Sequence, residues 1–155
     1  MVDTVRTRAA ILALLPDNTS GDISPQDHRD AIVSMFGVYG VIYVADGSTA
    51  QTGINATPVL FTSFAVNGVS SGITPDHTAD SLTIVTDGDY LILFENSYSG
   101  GGNDTIQFHT RVDGAEKPYG THHKMSAGGD TVSSMFFGIL SLSAAEVVTI
   151  YVESD

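Results

Sequence analysis

The sequence predicts a mainly β protein, an antiparallel β-sandwich preceded by a short helical N-terminal arm. Three observations lead there. Apolar residues recur at helical spacing before Gly37 and with a period near two after Val38. Asp-Gly and Asn-Gly pairs punctuate the second part at intervals typical of a sandwich. Charged residues make up only 15% of the 155 residues, against the ~25% usual for soluble domains, and Gly, Ser and Thr take their place.

The arm is residues 1–40. Thr7–Leu15 carries Ile11, Leu12, Leu14 and Leu15 behind Arg6 and Arg8, which reads as a short helix stopped by Pro16. Asp17–Gly21 is a loop by composition. Ser24 then caps a second helix, with Pro25 at its first position and Asp27 in the positive field of its first turn. His28, Ile32, Met35 and Phe36 form its apolar stripe, and Gly37 ends it. Two short helices make no core of their own, so the arm must lean on its own domain, a sister subunit or a larger assembly.

Residues 41–155 form the β domain. Expected strands are Val41–Ala45, Val59–Val66, Ser81–Thr86, Tyr90–Phe94, Thr105–Val112, Tyr119–Ser126, Thr131–Leu142 and Glu146–Val152. Asp87-Gly88 between two apolar runs predicts a hairpin, and Asp113-Gly114 closes Thr105–Val112. In that strand Ile106, Phe108 and Val112 point to one face and Gln107, His109 and Arg111 to the other. Tyr90–Phe94 and Met135–Leu140 do not alternate, and a lone sandwich covers one face of a strand only. Oligomerisation is the expected remedy.

Chemistry is sparse. Without cysteine there is no disulfide, thiol nucleophile or thiolate metal site. The net charge of −12 predicts no nucleic-acid partner and no anionic membrane surface. The apolar stretch Ala9–Leu15 ends in Pro16-Asp17 with no small-residue cleavage site, so no secretory leader is expected, and no apolar run is long enough to span a bilayer. His122 and His123 are neighbours on a strand and point to opposite faces, so they do not chelate one ion together. Asp87-Gly88-Asp89 lacks the further acids of a calcium loop. Gly100–Gly102 has no following Lys-Ser/Thr for a phosphate loop, and no nucleophile motif occurs. No catalytic residue, metal or cofactor is expected.

Two stretches carry resemblances. Ser133–Val152 resembles the last two strands of C1q/TNF-like jelly rolls, with Leu140 and Leu142 at the leucine positions and Ala145-Glu146 where Gly-Asp is usual. Asp87–Leu93 is similar to that family's Gly-x-Tyr strand, and Arg111–Gly114 to a later turn, so the likeness spans roughly residues 57–152. Leu14–Asp30 resembles an N-terminal element of tailed-bacteriophage virion proteins, with His28 where leucine is more usual. The resemblances imply a non-enzymatic virion protein on the capsid exterior, a homotrimer through its jelly roll. As a decoration (cement) protein it would bind the major capsid protein through Ile11, Leu12, Leu15, Ile32, Met35 and Phe36. The alternative is a trimeric receptor-binding tail, baseplate or head-fibre tip. Its loops Ser97–Asp104, with Tyr98, Asn103 and Asp104, and Ile73–Asp80 would then meet host-surface glycan or protein. Charge follows the same division: Arg6, Arg8 and Arg29 sit in the arm, whereas the chain from Val38 onward sets Arg111, Lys117 and Lys124 against 13 acids.

Overall fold

A computed structural model describes residues 37–45, 50–126, 128–129 and 131–155. The two arm helices, with Ile11, Leu12, Leu15, Ile32, Met35 and Phe36, lie outside the described residues, as does the Asp46-Gly47-Ser48 turn. What is described is mainly antiparallel strand.

Ten strands follow in chain order: β1 (Tyr39–Tyr43), β2 (Val59–Leu60), β3 (Val66–Ser71), β4 (Ile73–Asp76), β5 (Ser81–Ile84), β6 (Gly88–Ser99), β7 (Thr105–Val112), β8 (Ala115–Lys124), β9 (Thr131–Leu142) and β10 (Val147–Ser154). One six-stranded sheet runs β4-β5-β10-β7-β8, with β2 also on β10. β6 pairs with β9 over twelve residues each, and β1 pairs with β3.

The layers meet through alternating side chains. β7 and β10 turn Ile106, Phe108, Val112, Val148, Ile150 and Val152 inward, and β6 and β9 answer with Tyr90, Phe94, Phe136 and Leu142. Each such burial contributes ~1.5–3 kcal/mol before ordering costs. Phe61 and Phe64 join edge-to-face at 5.1 Å, and Phe61 meets the Phe94 ring at 5.6 Å. These two phenylalanines explain one departure from expectation. Val59–Val66 is not a single strand: it breaks into β2 and the start of β3, and the bend between them brings Phe61 and Phe64 against the core.

Turn chemistry succeeds at one place and misleads at another. β7 and β8 form a hairpin with Val112 opposite Ala115, and both Asp113 and Gly114 have positive φ, as a two-residue primed turn demands. Asp87-Gly88 does not make the expected hairpin. β5 pairs with β4 and β10 and β6 with β9, so this Asp-Gly is a corner that moves the chain between sheets. Ile73–Asp80, expected as a loop, begins as β4 on the edge of the large sheet.

Candidate functional site

β6 and β9 owe their length to twelve consecutive antiparallel pairs, and their alternation sorts side chains cleanly. The inward set belongs to the core. The outward set is apolar as well: Leu91 is 63% exposed, Leu93 60%, Met135 53%, Phe137 64% and Ile139 62%. Leu91 stands opposite Ile139, Leu93 opposite Phe137, and Glu95 opposite Met135. Polar pairs frame this apolar centre. At one end the Ser141 hydroxyl donates to Asp89, and at the other Ser97 faces Ser133. An apolar middle inside a polar rim is how protein interfaces are built. The expectation that Tyr90–Phe94 and Met135–Leu140 exceed what one sandwich covers thus has a definite location.

A second apolar area lies on β1 and β3, where Tyr39, Val41, Tyr43 and Val69 are exposed. Val41, Tyr43, Asn67, Gly68 and Val69 line a shallow hollow of about 500 Å3 there. Between this area and β6 runs a cleft of about 1550 Å3. Val41, Tyr43, Leu91 and Leu93 are among the residues that line it, together with Phe61, Phe94 and Phe108. Among the described residues, β6 has strand pairing on its β9 side alone.

The outer face of the large sheet is different. His109 Nε2 lies 3.0 Å from Glu153 and its Nδ1 3.3 Å from Glu116. Arg111 approaches Glu116 at 3.8 Å and covers the Tyr151 ring at 4.2 Å. These are cross-strand neighbours in contact, a stabilising ladder, within which the Arg111 Nε is buried without a hydrogen-bond partner. No group of three or more His, Cys, Asp or Glu side chains among the described residues is placed to hold a metal ion. His122 and His123 lie opposite Gln107 and Ile106, side by side along β8.

The loop residues separate. Tyr98, expected in an exposed loop, stands on β6, with its ring 5.4 Å from Phe108 at the edge of the core. The strand simply runs further than its Ser-Gly-rich sequence suggests, because β9 supplies pairing partners as far as Ser99. Asn103 is exposed and left-handed. Asp104 accepts the Gly101 N–H at 2.7 Å and ties the loop to itself.

No protein-family model matches the chain, and no curated protein matches it significantly. Fold and geometry therefore define the class: a mainly β, antiparallel domain with an uncovered apolar sheet face.

Proposed function

We propose that this chain is a non-enzymatic structural protein of a virion: a trimeric decoration protein with a C1q/TNF-like jelly roll, held on the capsid exterior by its N-terminal arm. The observation that carries the reading is the β6–β9 face. Five large apolar side chains exposed together on paired strands call for a partner, and a protein that works by assembling supplies one. Its other surfaces suit a mechanical role. His109 and Arg111 contact Glu153 and the Tyr151 ring within the same sheet. In this reading the trimer bridges capsid subunits, and the arm residues Ile11, Leu12, Leu15, Ile32, Met35 and Phe36 bury their side chains on the shell. Three arms acting together multiply a modest single-arm affinity. A receptor-binding tip is less well supported, since the Tyr98 ring packs against Phe108 at the edge of the core and leaves the loop with little aromatic surface.

The test is co-sedimentation with capsids of the encoding virus, comparing the full chain with one lacking residues 1–36. The full chain should pellet with capsids and the shortened one should remain in the supernatant. Equal binding by both would refute the arm's role, and no binding by either would refute decoration.

A further inference from the structure

The two exposed apolar areas differ in shape and in charge, and the difference says how copies meet. The β6–β9 face presents five large exposed side chains, with Leu93 and Phe137 side by side at its middle, and its borders carry the acids Asp89 and Glu95. The β1–β3 face is hollowed around Val41, Tyr43 and Val69. Gly68 keeps the hollow open, since a Cβ there would come within 3.0 Å of the Val41 side chain. Neither β1 nor β3 contains an acidic residue; beside them His77 contacts Asn67 at 3.1 Å, with Asp76 and Asp80 in the same turn as His77.

We propose that the β6–β9 face of one copy packs head-to-tail on the β1–β3 face of the next, closing a ring of three, with Phe137 and Leu93 seated over the Val41–Tyr43–Val69 hollow. The ring size rests on the trimeric reading above; the choice of surfaces rests on these residues. Symmetric pairing of β6–β9 with itself sets two acid-bordered faces against each other and leaves β1–β3 bare. Head-to-tail contact covers both apolar areas and sets Asp89 and Glu95 against two strands that carry no acid of their own. A rotationally closed ring of three requires two different patches on each copy, and this chain presents two. Their area is sufficient. The exposed fractions correspond to about 600 Å2 of side chain on β6–β9 and about 400 Å2 on β1–β3, which with the rim reaches the ~1,000–1,200 Å2 at which specific interfaces begin.

The experiment uses Phe137→Lys and Val69→Lys in the full chain, each exposed in the single copy, with circular dichroism and thermal unfolding to check the fold. Sedimentation velocity should give three times the monomer mass for the unchanged protein and the monomer mass for each variant alone. Mixing the variants leaves one intact surface of each kind, so a tagged Phe137→Lys chain should capture Val69→Lys chain as a one-to-one pair. An unchanged protein that is monomeric overturns the proposal. So does a Val69→Lys chain that keeps the parental mass, or a mixture that forms no pair. Capsid co-sedimentation is read separately. A head-to-tail trimer that ignores capsids removes the decoration reading and leaves this arrangement standing, while a monomer that binds capsids does the reverse.

Discussion

The Tyr119 ring lies flat over Gly138, and its hydroxyl donates to the Ile139 carbonyl at 3.0 Å. This contact joins β8, the edge of the large sheet, to β9, with which it shares no strand pairing. It also backs the outward pair Phe137 and Ile139, fixing the strand that presents them. A Cβ at Gly138 would stand 2.2 Å from the ring, so Gly138→Ala must expel Tyr119 or bend β9. The expected loss is about 1–3 kcal/mol, read as a lower midpoint in urea unfolding. An unchanged midpoint would show that the ring is free to move and does not hold the layers together.

How much of this was legible depends on how local each cause is. Thr105–Val112 was readable because one face is buried and one is not, which imposes strict alternation from Ile106 to Val112. The Asp113-Gly114 turn was readable because two left-handed residues are a local demand. Asp87-Gly88 was misread because turn chemistry says that the chain bends, not which strand it joins next. Tyr90 finds Leu140 fifty residues away. The uncovered β6–β9 face was visible as apolar runs without alternation. Its counterpart was not, since Val66–Ser71 is mostly polar or small and only pairing with β1 places Val69 near Val41 and Tyr43.

Ala145 holds a left-handed conformation, φ 74°, in the turn before β10, while its N–H donates to the Ile84 carbonyl at 2.8 Å. An L-residue with a Cβ is disfavoured there by ~1–2 kcal/mol, and glycine escapes that cost but gains freedom in the unfolded chain. Ala145→Gly should therefore stabilise the protein by about 1 kcal/mol. The neighbouring Ala144→Gly, with no left-handed backbone to relieve, should destabilise it. Calorimetric melting of the two variants separates the conformational effect from a general consequence of adding glycine.

Asp76 and Asp80 share one short turn and respond to acid in opposite directions. Burial pushes the Asp80 carboxyl up, against a partly compensating hydrogen bond from the Phe64 backbone, and its Oδ1 has no partner. The folded state therefore holds the Asp80 proton more tightly than the unfolded chain, and stability falls as pH rises through the interval above 3.8. Asp80→Asn keeps an acceptor without the buried charge and suits the positive φ of this position. It should gain about 1 kcal/mol at pH 7, and the gain should vanish below the unfolded-state value. Asp76 is held down, first by the Thr78 hydroxyl and then by the Thr78 and Ala79 N–H groups. Its contribution is present above 3.8 and is lost as pH falls. Unfolding midpoints across pH 3–8 should rise for Asp80→Asn chiefly at the neutral end. A uniform rise across the range would mean that something other than the charge was removed.

Self-association of a chain carrying −12 charges should strengthen with salt. Bringing copies together concentrates like charge, while the proposed contact between Leu91, Leu93, Met135, Phe137 and Ile139 and the β1–β3 hollow is apolar and insensitive to screening. Raising ionic strength from about 0.01 M to about 0.15 M shortens the screening length from roughly 30 Å to roughly 8 Å, which removes most of the repulsion between exposed carboxylates on different copies. Sedimentation equilibrium over that range should show the apparent dissociation constant falling several-fold. Charge-neutralising Glu95→Gln, at the rim, should reproduce part of the gain at low salt and little of it at high salt. The opposite trend, dissociation on adding salt, would place ion pairs at the interface. With Lys117 and Lys124 the basic side chains of the β domain besides Arg111, it would point to β8 as the contacting strand in place of β6 and β9.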